Sequence, residues 1–329
     1  MSVHRYLRAV GFSNIKKREE LQGLINEVVT SVIAPANSSD IKNTAGEADN
    51  SEKEKMTQMS QKRCYQNTAA DEEDNVYAEM YLEVADGVGV CVRGEYSEDN
   101  VFMYEYYFPY VKSTQISSTE DITVERQAEK ESYAGVCDDI KVGVSLIFYL
   151  QNMVPYIKMR ALNRLPVKGT SLMLSALSVN GTIMMPINKN EQERQKVKKA
   201  SSERNQLLAQ ARNGDENAIE SLTLEDMDTY TAISRKIQNE DVFSLVDTYF
   251  MPYGVECDQY SIMGEIQDVH LSKNYLSGEE VVVMTVECNE LTFDVCINRK
   301  DLYGEPAVGR RFKGIVWLQG YIDFPKEVL

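Results

Sequence analysis

The sequence has very few of the residues on which most acid–base enzymes depend. It contains two histidines, His4 and His270, in 329 residues. Histidine is the commonest proton-transfer group near neutral pH, so most such mechanisms lack their usual participant, and a histidine-based metal cluster is excluded. The motifs GxSxG, GxGxxG, GxxxxGK[ST] and HExxH are also missing. We therefore expect a non-enzymatic protein, and we predict no catalytic residue, no cofactor and no metal ion.

Long apolar runs and paired cysteine motifs are missing as well. No stretch of about 18 uncharged apolar residues occurs, and the opening MSVHRYLRAV carries arginines where a secretory signal needs apolar residues. The six cysteines show no CxxC spacing, and most lie in apolar, strand-like runs, which indicates buried thiols. We expect Cys288 and Cys296 to be neighbours in a barrel core. These features predict a cytoplasmic protein without disulfides or membrane spans.

Positive charge is scarce relative to negative charge. The formal net charge is −16, and the isoelectric point is near 4.7. An acidic surface repels polyanions, so generic binding to nucleic acid or to an anionic membrane is disfavoured. A local basic site remains compatible with this composition, and a protein is the expected partner.

The chain is long enough for two domains and is 43% hydrophobic, as in folded globular proteins. The predicted fold class is α+β: an antiparallel β-rich domain, a helical connector and a small C-terminal barrel of the OB-like or SH3-like kind. The predicted segments are an N-terminal helix that docks on the body (1–34), a disordered polar insertion (35–75), the β-rich domain (76–188), the helical connector (189–254) and the barrel (255–329).

The N-terminal segment combines an apolar stripe with an aromatic lead-in. Leu21, Leu24, Ile25, Val28 and Val32 follow helical spacing after Ser13, which is a candidate N-cap. Tyr6, Leu7, Val10 and Phe12 precede that helix and are expected to dock it, with Gly11 as the bend. Residues 35–75 offer too few apolar groups to offset their ordering entropy.

Turn dipeptides divide the β regions into strands. Asp86-Gly87 and Asn180-Gly181 are typical of two-residue hairpin turns, and Pro109 indicates an edge strand or a strand end. After Cys257, five strands in about 70 residues suggest a closed barrel, because closure removes exposed edges. Asn289 marks a tight hairpin within it, and 274–278 a longer turn.

The connector is predicted to be helical. Residues 190–212 form a polar, exposed helix that Gly214 ends, and Asp215 caps a short second helix. Thr223 is expected to open a third helix, whose inward side chains would be Met227, Tyr230, Ile233 and Ile237.

Two groups of residues near the C-terminus are candidates for a functional site. The only tryptophan lies among basic residues, an arrangement that can stack on and neutralise a nucleotide: Arg299, Lys300, Arg310, Arg311, Lys313 and Trp317. The alternative, which we favour, is that Trp317 fills the barrel and nearby glycines form its corners. Paired acids can perform acid–base chemistry or bind a divalent cation, and the candidates are Asp294, Asp301 and Glu305.

Three segments resemble an uncharacterised family of clostridial proteins that is known only as a domain of unknown function. They are HRYLRAVGFSNIKKREEL (4–21), the stretch from NGDENAIESL to QYSIMGEI (213–266) and INRKDLYGEPAVGRRFKGIVWLQG (297–320). The resemblance implies a bacterial cytosolic protein. It supplies no catalytic residue, cofactor or partner.

The leading functional hypothesis is a non-enzymatic binding or interaction protein that presents its surface to another protein. One alternative is a single-stranded nucleic-acid-binding module that uses the C-terminal barrel. The other is a carboxylate-based or metal-dependent enzyme. The oligomeric state is left open by the sequence.

Overall fold

Two β-sheets, one of them partly closed into a barrel, dominate the computed structural model. The residues it describes are 3–36, 64–71, 75–127, 132–139, 145–165, 170–186, 191–236 and 246–324. Among them, none of the helices is both long enough and apolar enough to cross a membrane.

The first sheet, sheet A, has four antiparallel strands in chain order. They are β1 (Cys64–Ala70), β2 (Val76–Ala85), β3 (Val88–Tyr96) and β4 (Phe102–Val111). Gly87 turns from β2 to β3 with a φ of 65°, so the hairpin predicted there is confirmed. Pro109 lies on β4, at the edge of the sheet, where its missing N–H costs no strand pairing. Helix α1 (Arg18–Ala36) packs on sheet A and buries Leu21, Leu24, Ile25 and Val28, as the stripe predicts.

Strand β1 corrects the prediction that residues 35–75 are a disordered insertion. Its seven residues pair with β2, and the ring of Tyr65 stacks on that of Tyr81 at 4.6 Å. The polar sequence CYQNTAA gains its order from this partner strand, which composition alone does not reveal. Residues 37–63 lie outside the described residues.

The barrel is a ring of five strands. They are β8 (Ser171–Met184), β10 (Gln259–Lys273), β11 (Glu280–Cys288), β12 (Leu291–Asn298) and β14 (Arg311–Asp323). The ring closes because β8 pairs with β12 on one side and with β14 on the other. Asn289 and Glu290, both with positive φ, form the predicted tight hairpin.

The expectation that residues 255–329 close the barrel alone is therefore corrected. Two of the five strands expected after Cys257 correspond to the segments RFKGIVWLQ and GYIDF, and these form the single strand β14. The fifth strand of the ring is β8, from the region assigned to the preceding domain. The division of the chain into five segments otherwise stays a prediction.

The predicted hairpin at Asn180-Gly181 is wrong, because β8 runs through both residues. The pairing of β8 with β14 shifts register at this point. The Ser178 hydroxyl lies 2.7 Å from the carbonyl oxygen of Asn180 and 2.8 Å from that of Ile315, and it donates to them across the irregularity. A Cβ on Gly181 would lie 2.4 Å from the ring of Phe312. Gly181 is therefore required because the Phe312 ring lies so close to its backbone, and not because the chain turns there.

Smaller elements extend the barrel sheet. Strands β5 (Ile122–Gln127), β6 (Ser132–Cys137) and β7 (Leu146–Leu150) continue it beyond β14, and helix α2 (Met153–Ala161) follows β7. The short strands β9 (Tyr249–Pro252) and β13 (Leu302–Tyr303) pair with β10 and β8.

The connector is a helical hairpin of α3 (Glu191–Arg212) and α4 (Glu216–Lys236). Gly214 ends α3 with a φ of 87°, and Asp215 caps α4 by accepting from the backbone N–H of Asn217 at 2.9 Å. The two helices predicted after Gly214 are one, since Thr223 donates to the Ile219 carbonyl within α4 instead of opening a new helix.

The side chains expected to face inward from this helix are only partly accounted for. Met227 is 63% exposed, so its predicted inward placement is wrong. The side chains of Tyr230 and Ile233, and the whole of Ile237, lie outside the described residues.

Among the described residues, two large apolar cores result, besides a small cluster of Ala69, Met153, Val154 and Ile157. One fills the barrel, and the other lies between the barrel and sheet A beneath the N-terminal segment. Cys288 belongs to the first and Cys296 to the second, so the expectation that they are core neighbours is wrong. All six cysteines lie within the described residues, and none of them forms a disulfide.

Candidate functional site

Trp317 is buried, but on the outer face of the barrel. It is 5% exposed and belongs to the core between the barrel and sheet A, whereas Val316 and Leu318 point into the barrel. The expectation that it fills the barrel interior is corrected, because alternation along β14 turns it outward. Its ring stacks on Tyr6 at 5.3 Å, and its indole N–H donates to Asp258 at 2.8 Å. The ring is thus covered by other side chains instead of offering an open platform for a base.

Two of the basic residues predicted near Trp317 are paired with acids. Arg299 donates to Glu305 at 2.7 Å, and Lys300 lies 2.6 Å from Glu279. Both lie in the short 3₁₀ turn that follows β12. Their charges are therefore largely neutralised by neighbouring carboxylates.

Two of the other basic residues of this set bond to backbone carbonyls. Arg310 donates to the backbone carbonyl of Glu305 at 2.7 Å. Arg311 is 7% exposed and donates to the carbonyls of Met185 and Val246, and burial lowers its pKa. Lys313 is half-buried on β14. Binding of nucleic acid at these residues stays a prediction.

The three candidate acids are each engaged separately. Asp294, 6% exposed on β12, accepts from the Thr285 hydroxyl at 2.6 Å. Asp301 forms a two-bond ion pair with Arg8, and Glu305 pairs with Arg299. Within the described ranges, no three His, Cys, Asp or Glu residues are grouped so as to hold a metal ion. The structure therefore does not bring the three carboxylates into one metal-binding group.

A buried ion pair joins the two sheets. Arg93 on β3 and Glu79 on β2 lie opposite each other in sheet A, are 1% and 0% exposed, and bond at 2.8 Å. Arg93 also donates to the Tyr149 hydroxyl and to the carbonyls of Leu150 and Gln151, each at 2.7 Å. Burial opposes its charge, but Tyr149 and Glu79 outweigh that effect and raise the pKa of Arg93.

Both carboxylate oxygens of Glu79 also accept hydrogen bonds from groups other than Arg93. Glu79 accepts from the Tyr81 hydroxyl at 2.9 Å and from the backbone N–H of Met153, at the start of α2, at 2.9 Å. Because these bonds are internal and the groups are buried, the pair is a structural tie between sheet A and the β7–α2 junction.

Polar side chains continue this tie into the barrel. The amide nitrogen of Gln151 lies 2.9 to 3.1 Å from three acceptors, which share its two hydrogens: the Gln319 amide oxygen on β14, the Ser175 hydroxyl on β8 and the Val111 carbonyl on β4. Gln319 in turn donates to the Pro109 carbonyl at 2.8 Å. We call Glu79, Arg93, Gln151 and Gln319 the buried polar seam.

A second set of polar contacts holds the N-terminal segment. Glu279, in the β10–β11 connection, accepts from both the backbone N–H and the hydroxyl of Ser13, from the Asn298 amide at 2.7 Å, and from Lys300. Ser13 is thus used here and not as the N-cap of α1, which begins at Arg18. Burial would raise the pKa of Glu279, but the bonds from Lys300, Ser13 and Asn298 lower it to about 2.

This lowered pKa predicts how stability depends on pH. The stabilisation is complete above the ordinary carboxyl pKa of 4.5 and is lost as the pH falls through about 2. Glu279→Gln should therefore lower the free energy of unfolding by roughly 1–2 kcal/mol at pH 7. In melting curves, the difference from the wild type should shrink below pH 4.5 and vanish only below the folded-state pKa of about 2. Glu280→Gln, at the exposed neighbouring position, is the control; a difference that stays constant with pH would contradict the assignment.

Helices α3 and α4 form a hairpin at the surface of the protein. The described helices pack against each other, and Arg204 of α3 pairs with Asp226 of α4 at 2.8 Å. A contact to the barrel runs from Asn205 to Glu290 at 3.5 Å. Helix α3 has six basic and three acidic residues, and α4 has two basic and five acidic ones. The hairpin therefore presents a basic and an acidic helix side by side.

Apolar side chains on α4 are open to solvent. Ala218 and Leu222, one turn apart, are buried, whereas Ile219, Leu224 and Met227 are 48%, 58% and 63% exposed. On a helix, Leu224 and Met227 lie on the side away from the buried pair. Helix α4 thus combines an excess of acid with exposed large apolar groups.

Sequence reasoning missed Glu79, Arg93 and Glu279. Glu79 and Arg93 lie in alternating strands, where a charged residue predicts the solvent face. The available signal was that both lie among apolar residues on short strands of one predicted hairpin, at positions that pair across it. Nothing local marks Glu279, because its partners come from both ends of the chain.

The comparisons with known proteins identify a family. The family model described as "Domain of unknown function, E. rectale Gene description (DUF3881)" matches residues 38–320. The chain therefore belongs to this family, and the resemblance to an uncharacterised clostridial family is confirmed, although the segment 4–21 lies outside the match. No curated protein and no solved structure matches the sequence.

Proposed function

We propose that this family member is a non-enzymatic interaction protein that works in the cytoplasm and binds another protein through the α3–α4 hairpin. The observation that carries the proposal is that Leu224 and Met227 are exposed on α4, on the side turned away from the buried Ala218 and Leu222. Large apolar side chains grouped on a projecting element are typical of protein contact sites.

Charge defines the partner further. Helix α4 carries three more acids than bases, so the complementary surface is an apolar strip bordered by lysine or arginine. Such charges speed the encounter and reject acidic competitors, while the apolar groups supply most of the affinity. The OB-like or SH3-like character of the barrel stays a prediction, and the proposal needs the barrel only as a rigid support.

The alternatives have less support. A nucleic-acid module would use Trp317, which lies beneath Tyr6, and basic residues that already have acidic or carbonyl partners. A carboxylate enzyme would use Asp294, Asp301 and Glu305, which bond to three different groups. Both remain hypotheses of lower rank.

Affinity capture from a native lysate tests the proposal. The wild-type protein should recover a stoichiometric partner, and the triple variant Ile219→Ser, Leu224→Ser, Met227→Ser should lose at least about 10-fold in affinity for it, since a few buried anchors dominate interface energy. The matched control carries the same change at exposed apolar positions of the barrel region, Val255, Leu271 and Val308. Recovery of no partner, or equal loss in both variants, would remove the hairpin assignment.

A further inference from the structure

The N-terminal unit, residues 3–36, lies across both sheets. Its 3₁₀ helix (Arg5–Val10) contacts β4 of sheet A and strands β8 and β12 of the barrel, while α1 lies on β1, β2 and β3. The unit buries nine apolar side chains: Tyr6, Leu7, Ala9, Val10, Phe12, Leu21, Leu24, Ile25 and Val28. Together with the strands beneath them, these side chains fill a cleft between sheet A and the barrel.

The body holds the backbone of this unit with buried side chains. The carbonyl oxygens of three consecutive residues, 8–10, accept from Asn298 at 3.2 Å, from the Cys296 thiol at 3.5 Å and from Asn274 at 2.9 Å. All three donors are fully buried. Proteins commonly hold bound peptides in this way, with main-chain bonds for affinity and pockets for specificity.

Side-chain contacts set the position of the unit along the cleft. Tyr6 stacks on Trp317 at 5.3 Å, Arg8 forms its ion pair with Asp301, and Ser13 bonds to Glu279. Gly11 has a φ of 92°, and a Cβ there would lie 2.9 Å from Asn274. The unit therefore fits the cleft at one register.

The connection to the rest of the chain is much longer than the gap it spans. Helix α1 ends at Ala36 and β1 begins at Cys64, yet the Cys64 thiol lies 3.2 Å from the carbonyl oxygen of Ser31. The 27 residues 37–63 between these elements could reach about 90 Å if extended. The family match begins at residue 38 and so covers the cleft without the unit that fills it.

We propose that the cleft between sheet A and the barrel is a binding site for an amphipathic helix preceded by an aromatic turn, and that residues 3–36 occupy it as a ligand carried on the same chain. Non-covalent contacts, and not chain continuity, hold the unit in place. Carriage on the same chain raises the local concentration of the unit at the site, as covalent linkage does for any ligand. This inference is independent of the function proposed for the hairpin.

Cutting the connection in the full-length protein tests this. A protease site is inserted after residue 50, the folded protein is cleaved, and the product is examined by native mass spectrometry and by emission of the single tryptophan. The two pieces should stay together with unchanged emission. A labelled synthetic peptide of residues 1–36 should then exchange into the cleaved protein to a 1:1 limit. Dissociation with loss of structure, or retention without any exchange over days, would overturn the proposal.

Peptide variants separate specific binding from general adhesion. A peptide with Tyr6→Ala and Leu7→Ala should compete at least about 100-fold less well, because both side chains are buried in the cleft. A peptide with Asn26→Ala and Glu27→Ala, at exposed positions of α1, should compete within about 2-fold of the parent, as surface substitutions do. Equal competition by the two variants would contradict a shaped site.

Discussion

Replacing Arg93 by methionine should lower the free energy of unfolding by about 3–5 kcal/mol, because the change leaves the Glu79 carboxylate buried without its cation. The affected carboxylate is 0% exposed, and Arg93 alone supplies four hydrogen bonds across the buried polar seam. Loss of the guanidinium also removes its stacking on the Phe108 ring, at 4.5 Å. Urea denaturation followed by circular dichroism measures the change.

A double variant distinguishes charge from packing. Arg93→Met combined with Glu79→Gln removes both charges and keeps an oxygen acceptor for the N–H of Met153, so it should recover a large part of the lost stability. If the single variant lost less than about 1 kcal/mol, or if the double variant were the less stable of the two, the ion pair would not be the tie described here.

Trp317→Ala should cost about 3–5 kcal/mol of unfolding free energy, as expected for removal of a buried aromatic side chain. The cavity would open between the barrel and the N-terminal unit, because the indole contacts His4 at 4.8 Å, Tyr6 at 5.3 Å and Tyr149 at 5.1 Å. The Asp258 carboxylate would lose its indole donor. Trp317→Phe keeps an aromatic ring there and should cost clearly less.

The control for this site is an exposed aromatic residue. Tyr303 is 80% exposed on β13, so Tyr303→Ala should change stability by no more than about 0.5 kcal/mol. Equal effects of the two alanine variants would show that Trp317 is not packed as the structure has it. Protection of the wild-type tryptophan from acrylamide quenching gives an independent check.

Local backbone chemistry predicted much of the fold. The turns at Gly87, Gly214 and Asn289 are where the sequence places them, because each requires a positive φ that few residues adopt readily. The docking of Tyr6, Leu7, Val10 and Phe12 was also predictable, since so many apolar residues beside a helix stripe need cover.

The wrong predictions concern features that depend on contacts between segments far apart in the sequence. Asn180-Gly181 has the composition of a turn, but Phe312, far along the chain, occupies the space that makes glycine necessary. Strand β1 is polar and is ordered by pairing with β2. Strand β8 closes the barrel by pairing with β12 and β14. The pattern of apolar residues within a strand does not show which distant strands it pairs with.

The candidate site was the least predictable part. Trp317 is buried in the core between the barrel and sheet A, whereas Arg311 bonds to a backbone carbonyl and Arg299 to a carboxylate. Proximity along the chain does not reveal these separate partners. The contacts that hold the N-terminal unit join residues 4–13 to residues 274–317, a separation that no motif describes.

The closure of the barrel through β8 has a consequence for synthesis. Ala176 on β8 pairs with Val295 and with Leu318, so more than 100 further residues must be made before this strand finds either neighbour. On the ribosome, sheet A is complete once Val111 has emerged, whereas the apolar face of β8 stays uncovered until residues beyond 320 leave the exit tunnel. During that interval the nascent protein exposes a strand prone to wrong pairing, and chaperones that shield such strands should associate with it most strongly between the synthesis of β8 and that of β14.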